Sequence, residues 1–380
     1  MGRRAVRRGL LPLLLLGPCV AACERQHPAA PLPAPARSGA AAAVVSAAPG
    51  PSAPAATAPG RVELVDRAMG TRVSLAAYAS AALSAQQVRA ALQAAFAEIQ
   101  RLERLMTTWR ADSEVSAINA AAGKHPVAVG PETFAVIDKS LWTSRLSGGV
   151  FDITFAAMSG LWRFDEEHAP ALPDPAAVEQ ARRSIDYRQI ALAERDRTVM
   201  LRRETIRIDL GGIAKGYAID RAAEVLRHAG LQSFFAQAGG DLYIAGRKPD
   251  GTPWRVGVRD PRGPADAFFA TVPVENHAFS TAGDYERSFV LGGKRYHHII
   301  DPRSGYPATQ SRSVTIWAPD AFTADAIDDA VFILGPEQGL ELVEAAPGCG
   351  AVIVDAANKV WISRRLQGLV TVLRPPTDGV

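Results

Sequence analysis

Polar and apolar residues alternate through two neighbouring segments, Arg61–Ala68 and Thr71–Tyr78. A period of two is typical of β-strands with one buried face. Met69 and Gly70 separate the two segments. We therefore predict two extended segments joined by a tight turn.

Four segments are predicted to be helices. The first follows Ser84, which forms a capping-box pattern with Gln87, and its apolar positions continue at three- and four-residue steps to Met106. A second helix is predicted over 131–147, a third over 213–229 and a fourth over about 323–334.

Further strands are predicted over 206–210, 233–237, 241–245, 254–258, 287–291, 294–300 and 313–317. Gly292-Gly293 has the composition of a hairpin turn between two of them. Strands and helices are interspersed without a regular β-α-β order, which favours a mixed α/β fold with a largely antiparallel sheet over a doubly wound fold.

The N-terminal segment has the composition of a secretory signal. Basic residues are followed by an apolar stretch from Leu10 to Leu16, which is too short to span a bilayer, and then by small residues before Cys23. Val20-Ala21-Ala22-Cys23 resembles a bacterial lipobox, so we predict a lipoprotein signal peptide at 1–22 and lipidation of Cys23. A plain signal peptide cut after a small residue is the alternative.

Composition divides the rest of the chain in two. Residues 23–60 are almost wholly Ala, Pro, Ser and Gly, which predicts a flexible tether, and a single folded domain is predicted over 61–380. The 380 residues are 48% apolar and 21% charged, which is enough to fill a core.

Charge and cysteine content exclude other classes. Four of the 42 basic residues lie in the signal segment, which leaves 38 bases against 39 acids, so a polycationic nucleic-acid binder is not expected. Three cysteines cannot form a disulfide scaffold or a four-thiolate zinc site. Cys349 is expected to be a small buried apolar residue.

Asp325, Asp328 and Asp329 have the spacing that places three carboxylates on one helical face, where like charges repel. Two explanations remain open from spacing alone. The acids could occupy a first helical turn with Thr323 as the N-cap, where they would complement the helix dipole. Alternatively they could bind a hard cation such as Mg²⁺, which prefers oxygen ligands.

A glycine corner lies between the predicted strand at 206–210 and the helix that follows it. Gly211-Gly212 there could be a steric turn, or a helix start whose free backbone N–H groups bind a phosphate. Lys215 in the first turn favours phosphate, because a cation near the positive end of the helix dipole is unfavourable without an anion.

His297 and His298 are adjacent in a predicted strand. Neighbouring side chains of a strand point to opposite faces, so at most one histidine is expected to take part in a site. Spacing alone leaves open whether that histidine is catalytic or structural.

Six ordered segments together resemble the ApbE family of FAD:protein FMN transferases, whose members are often lipoproteins. The segments are MGT at 69–71, LMTTWRADSEVSAIN at 105–119, GGVFDIT at 148–154, IDLGGIAKGYAID at 208–220, AFSTAGDYERSFVLGGKRYHHIIDPRSGYP at 278–307 and TADAIDDAVFILG at 323–335. The resemblance implies a T-fold-like α/β architecture. It also implies that Mg²⁺-dependent cleavage of the FAD diphosphate transfers FMN to a Thr or Ser hydroxyl of an acceptor protein and releases AMP.

The same resemblance implies roles for particular residues. His298 matches the family's catalytic histidine, and the metal positions fall on the Gly212 carbonyl, Asp325 and Asp329. The FAD-binding positions fall on Met69, Trp109, Val150, Phe151, Asp152, Asp209 and Lys215.

The chain departs from the family pattern at four positions. Trp109 stands where Tyr is frequent, Val150 where Ala is usual, Ile153 where Pro is usual and Asp329 where Thr is common. The extra acid at 329 leaves the number of metal ions open.

The expected partners are FAD, an acceptor protein with a D-x-x-[ST]-G-A-[ST] motif and, through the N-terminal lipid, a membrane of the bacterial cell envelope facing the periplasm. Nucleic acid is not expected. Two alternatives are a Mg²⁺-dependent FAD pyrophosphatase that gives FMN and AMP, and a flavin-binding lipoprotein without turnover.

Overall fold

The structure is a computed structural model, and it describes residues 60–164 and 168–379. Its helices are α1 (Ala85–Met106), α2 (Glu114–Ala120), α3 (Pro131–Leu146), α4 (Pro175–Arg182), α5 (Ala214–His228) and α6 (Ala321–Ala345). The first nine strands are β1 (Arg61–Ala68), β2 (Thr71–Tyr78), β3 (Val127–Ala128), β4 (Ile190–Ala193), β5 (Thr198–Leu201), β6 (Phe234–Ala238), β7 (Asp241–Ala245), β8 (Trp254–Arg259) and β9 (Phe268–Val274). The others are β10 (His277–Gly283), β11 (Ser288–Leu291), β12 (Lys294–His297), β13 (Ile300–Asp301), β14 (Tyr306–Pro307), β15 (Ser311–Ala318), β16 (Gly350–Asp355), β17 (Val360–Ile362) and β18 (Thr371–Val372).

An eight-stranded sheet in the order β1-β2-β6-β7-β10-β15-β16-β17 forms the centre of the fold. Every pair of neighbouring strands in it is antiparallel. Mixed α/β architecture with antiparallel sheet was the sequence-based expectation, and it is confirmed.

Both faces of this sheet are covered. The larger apolar core contains buried residues of α1, α5 and α6 together with sheet residues such as Leu75, Ala236 and Ile316. On the opposite face, Phe235, Leu242 and Phe279 pack with residues of β8 and β9. Cys349 lies buried in the larger core, as expected.

The local sequence signals place the elements that border the site. Met69 and Gly70 both have positive φ in the turn between β1 and β2. Ser84 and Gln87 form the predicted capping box at the start of α1. Gly292 and Gly293 both have positive φ in the β11–β12 turn, which is the conformation that two-residue hairpins prefer.

The predicted strand at 206–210 is wrong. Its residues alternate in burial as a strand would, but they form no ladder. The backbone of Ile208 is instead bound on both sides by the Asn119 side chain, at 2.8 and 2.9 Å, and the Asp209 N–H donates to the Ile153 carbonyl. A side-chain amide thus satisfies backbone groups that a neighbouring strand would otherwise satisfy.

The start predicted for the last helix is also wrong. The N-cap of α6 is Asp320, whose carboxylate accepts the Thr323 N–H at 2.7 Å. The first turn therefore contains no acid, so Asp325, Asp328 and Asp329 lie beyond the reach of a helix-end effect. The helix also continues past the predicted end at 334, across a kink at Gly335, where φ is 78°.

Other differences are smaller. The strand predicted over 294–300 is divided into β12 and β13, with His298 and Ile299 between them. The sequence analysis also missed α2, α4 and several strands, among them β4, β5, β9, β16 and the central strand β10. The signal peptide, Cys23 and the tether at 23–60 fall outside the described residues except for Gly60, so those predictions and the domain limits remain predictions. Among the described helices, none is both long and apolar enough to cross a bilayer.

Candidate active site

A cavity of about 770 Å³ opens at one end of the central sheet. Segments distant in sequence border it, including the β1–β2 turn, the end of α1, the start of α5 and the middle of α6. It brings together all eleven described residues to which the family resemblance assigned a role, namely Met69, Trp109, Val150, Phe151, Asp152, Asp209, Gly212, Lys215, His298, Asp325 and Asp329.

The glycine corner lies at the start of α5. Asp209 holds it, since one carboxylate oxygen accepts the Gly211 N–H at 2.7 Å and the other lies 3.2 Å from the Thr108 hydroxyl. A Cβ on Gly212 would lie 3.3 Å from Asp329 Oδ2, so the corner and the acidic face of α6 are in close contact.

Acidic side chains converge beside this corner. Asp241, Asp325 and Asp328 are all buried, and each offers a carboxylate oxygen within 4.8 Å of the others. Lys215 Nζ forms ion pairs with Asp241 at 2.9 Å and with Asp325 at 3.2 Å. The lysine predicted to bind phosphate therefore also holds two carboxylates of the cluster.

The Ser280 hydroxyl lies between two of these acids. It is 2.6 Å from Asp241 Oδ1 and 2.6 Å from Asp328 Oδ2, although a hydroxyl has only one proton to donate. The second short oxygen–oxygen contact therefore requires a proton on one carboxyl group or a cation between the groups.

Electrostatics lead to the same requirement. Burial and the neighbouring Asp241 raise the pKa of Asp325 to about 7, although Lys215 opposes the shift. Burial and the other acids raise the pKa of Asp328 well above its usual value. Burial and Asp241 raise the pKa of Asp329 to about 6, again against Lys215.

The donor set fits a hard divalent cation. Four carboxyl groups, those of Asp241, Asp325, Asp328 and Asp329, share one ammonium group, that of Lys215. Carboxylate and carbonyl oxygens are the ligands that Mg²⁺ and Ca²⁺ prefer. A bound cation would favour the charged carboxylates, against the burial and mutual repulsion that raise their pKa values.

The two adjacent histidines have separate environments. His297 is buried, its Nε2 donates to the Ala308 carbonyl at 2.8 Å, and its Nδ1 accepts the Ile299 N–H at 3.3 Å. His298 follows the end of β12 and lines the cavity, and its Nδ1 has no hydrogen-bond partner in the described part of the chain. The expectation that at most one histidine faces the site is confirmed.

Burial and the positive charge of Arg287 lower the pKa of His298 to about 3. The imidazole is therefore neutral near pH 7 and has a lone pair that can accept a proton. A bound diphosphate would place negative charge near the ring and raise this pKa toward the range of a general base.

The proposed flavin-binding residues fall into two groups. Trp109 is 55% exposed at the cavity, where its ring is free to stack on a planar ligand. Asp152 is buried, and its carboxylate accepts the Thr154 N–H, the Thr154 hydroxyl and the Tyr187 N–H at 2.6–2.8 Å. Both carboxylate oxygens of Asp152 already accept hydrogen bonds from the protein. Asp152 therefore holds the cavity wall in place.

Sequence reasoning gave no role to Asp241 or Ser280, and the family resemblance gave none to Asp328. The spacing of Asp328 with Asp325 and Asp329 had left open a cation site or a helix-dipole effect. Asp241 could have been found as an acid that directly follows Gly239-Gly240 and begins a wholly buried strand. Nothing in the local sequence pairs Ser280 with the two acids, because β10, β7 and α6 meet only in the folded chain.

Comparisons with known proteins agree with this geometry. The model of the ApbE family matches residues 69–353. The chain is 35% identical over 327 residues to a protein of Treponema pallidum named FAD:protein FMN transferase, covering 82% of this chain and 89% of that one. It is 31% identical over 321 residues to a Klebsiella pneumoniae protein of the same name, with the same coverage.

Among solved structures, the ApbE protein of Thermotoga maritima superposes with a TM-score of 0.73 at 33% identity. The match covers 81% of this chain and 99% of that one. It extends the sequence relationship to the whole arrangement of the sheet and the helices around the cavity. On both grounds, the chain belongs to the ApbE family.

Proposed function

We propose that this chain is an FAD:protein FMN transferase. The observation that carries the proposal is the single cavity in which a neutral histidine, a lysine, a glycine-rich helix start and four carboxyl groups converge. Curated relatives that match most of the chain carry the same functional name.

The reaction exchanges the phosphoanhydride bond of FAD for a phosphoester bond to the acceptor. The hydroxyl oxygen of a Thr or Ser on the acceptor protein attacks the phosphorus on the FMN side of the FAD diphosphate. The P–O bond to the bridging oxygen breaks, AMP leaves with that oxygen, and the hydroxyl proton passes to His298. Atoms and charge balance without a redox partner.

Residues of the cavity would hold the isoalloxazine and the diphosphate of FAD. Trp109 offers an exposed ring for the isoalloxazine, with Met69, Val150 and Phe151 in the same cavity wall. The start of α5 and Lys215 would bind the diphosphate, because free backbone N–H groups and an ammonium group both favour an anion.

We propose Mg²⁺ as the cation of the acidic cluster, held by Asp325, Asp329 and the Gly212 carbonyl, with Asp241 and Asp328 beside them. When bound, the ion would neutralise the diphosphate and stabilise the negative charge that develops on the leaving phosphate. Lys215 and Ser280 would orient the carboxylates around it.

The direct test of the proposed function is transfer of FMN to an acceptor. Purified protein incubated with FAD, Mg²⁺ and an acceptor that carries D-x-x-[ST]-G-A-[ST] should give a fluorescent acceptor band after denaturing electrophoresis. An active ApbE homologue is the positive control, and an acceptor with its hydroxyl residue replaced by Ala is the negative control. Absence of the band, with the homologue active, would contradict the proposal.

Product analysis separates transfer from hydrolysis. A pyrophosphatase would release free FMN and AMP at a rate that the acceptor does not divert. A protein without turnover would return intact FAD. A transferase consumes FAD in proportion to the acceptor that becomes labelled.

We further propose that the protein is a lipoprotein of the bacterial cell envelope, anchored through Cys23 and facing the periplasm. The lipobox-like Val20-Ala21-Ala22-Cys23 and the Ala/Pro-rich segment after it support this. Metabolic labelling with a palmitate analogue should label the native chain. A Cys23→Ser chain that is labelled equally would contradict it.

A further inference from the structure

Two arginines face each other directly at the end of the β1–β2 hairpin. Arg67 and Arg72 are a cross-strand pair, so their side chains lie on the same face, and both are exposed. Like charges directly opposite each other destabilise a sheet. The repulsion between the two guanidinium groups therefore destabilises the free protein, and an anionic partner would relieve it.

Neighbouring acids do not neutralise this pair. Asp66 Oδ1 accepts the backbone N–H of Arg67 at 2.8 Å, and Glu63 forms an ion pair with Arg61 at 3.2 Å. Within the described ranges, the guanidinium groups of Arg67 and Arg72 have neither an ion pair nor a hydrogen bond to a carboxylate.

A third arginine, which forms no ion pair with another described residue, lies beside the same turn. A Cβ on Gly70, in the same hairpin turn, would lie 3.8 Å from Arg287 Nη2. The Arg287 carbonyl accepts the His298 N–H at 3.1 Å. Arg67, Arg72 and Arg287, which we call the arginine rim, thus connect the β1–β2 turn to the histidine at the cavity.

The arginine rim extends from the cavity to its outside, because Arg287 lines the cavity next to His298 while the other two arginines lie beyond it. Met69, Gly70 and Thr71 line the cavity, whereas Arg67 and Arg72 on either side of them do not. The FAD diphosphate already has Lys215 and the start of α5 inside the cavity. The rim therefore fits a ligand that arrives from outside and extends beyond the cavity mouth.

We propose that the arginine rim binds an acidic segment of the acceptor protein next to the hydroxyl residue that receives FMN. This inference rests on the proposed function, because the acceptor is the substrate that must approach His298 from the mouth. A single local patch on a chain with nearly balanced charge fits a short acidic segment better than an extended polyanion.

The experiment uses two fluorescein-labelled acceptor peptides that share the hydroxyl motif and differ only in a flanking run of glutamates or glutamines. Binding to the whole protein, with FAD and Mg²⁺ present, is measured by fluorescence anisotropy. Wild type should bind the glutamate peptide about threefold to tenfold more tightly, and added salt should reduce the preference. The Arg67→Glu/Arg72→Glu variant should lose it.

Two further variants serve as controls. Arg89→Glu/Arg203→Glu changes the net charge equally at exposed positions away from the cavity and should keep the preference. Arg67→Lys/Arg72→Lys keeps the charge and should also keep it. The KM for FAD should be the same in all variants, because neither Arg67 nor Arg72 lines the cavity.

Equal binding of both peptides by wild type, or an unchanged preference in Arg67→Glu/Arg72→Glu, would overturn the inference. So would loss of binding to phosphatidylglycerol vesicles in that variant without any change in peptide preference, since the rim would then contact lipid. Preferential binding of the glutamate peptide without flavin transfer to either peptide would remove the proposed function while the acidic docking remains.

Discussion

Gly216 and Asp325 join α5 to α6 at the floor of the site. The Gly216 N–H donates to Asp325 Oδ2 at 2.7 Å, and a Cβ on Gly216 would lie 2.6 Å from the Asp325 Cβ. A carboxylate of the acidic cluster is therefore positioned by the backbone of α5, the helix that begins at the glycine corner. Any side chain at 216 would separate the two helices.

Gly216→Ala should lower stability and impair the site together. The added methyl group would overlap the Ala321 carbonyl oxygen and the Asp325 Cβ, and such overpacking costs about 1–3 kcal/mol. Thermal unfolding should show a lower Tm, and Mg²⁺ should protect the variant less than wild type. His228→Ala, at the exposed end of the same helix, is the control and should match wild type. A Gly216→Ala protein with normal Tm would contradict the close-contact argument.

Asp325→Asn should weaken binding of the divalent cation. The amide keeps the shape of the side chain but removes one charge from the cluster, so Mg²⁺ affinity should fall about tenfold or more. In wild type, Mg²⁺ should raise Tm, because a ligand that binds only the folded state stabilises it. That rise should be lost in Asp325→Asn and kept in Asp112→Asn, an exposed control. An unchanged Mg²⁺ response would exclude Asp325 as a ligand.

Replacing His298 should impair the reaction, whereas replacing His297 should impair stability. His298→Ala should reduce transfer by about a hundredfold or more, the usual contribution of a general base, with little change in FAD affinity or Tm. His297→Ala should instead lower stability by about 1–3 kcal/mol, because it leaves the Ala308 carbonyl unpaired inside the protein. Equal losses of FAD binding and rate in His298→Ala would make it a positioning residue.

The start of α6 should make stability depend on pH. Asp220 accepts the N–H groups of Ala321 and Phe322 at 2.9 Å, and burial raises its pKa to about 7 from 3.8. Between these values the folded state binds more protons than the unfolded state, so this carboxyl group's contribution to stability falls as pH rises from about 4 to 7.

Asp220→Asn cannot ionise, so it should flatten that part of the pH profile. Its amide nitrogen cannot accept the second N–H, so the variant should also be less stable at low pH. Tm measured in EDTA across this range tests both points, and exposed Asp66→Asn is the control. A profile in Asp220→Asn parallel to that of wild type would assign the slope to other groups.

The sequence predicted best where one local signal decides the conformation. The Met69-Gly70 turn, the Ser84 capping box and the Gly292-Gly293 hairpin each depend on residues within a few positions, and each was predicted. The segment at 206–210 failed because Asn119, far away in sequence, satisfies its backbone. The burial of residues 206–210 alternates in the same way whether a neighbouring strand or a side chain supplies the hydrogen-bond partner of the backbone.

In the site, too, prediction failed where residues distant in sequence meet. Residues carried over from the family resemblance were found together in one cavity. The Ser280 link between Asp241 and Asp328 was missed, because three elements contribute one residue each. The N-cap of α6 was placed three residues late, since Asp320 and Thr323 both suit a cap and only the fold shows which one is used.

The kink at Gly335 divides α6 into two rods, of which only the first lines the cavity. The first rod holds every carboxylate that the helix contributes to the cavity. The second begins at Pro336, which has no N–H to continue the ladder, and its carboxylates lie outside the cavity wall. Substitutions in the second rod should therefore alter the stability of the fold without changing any residue that lines the cavity.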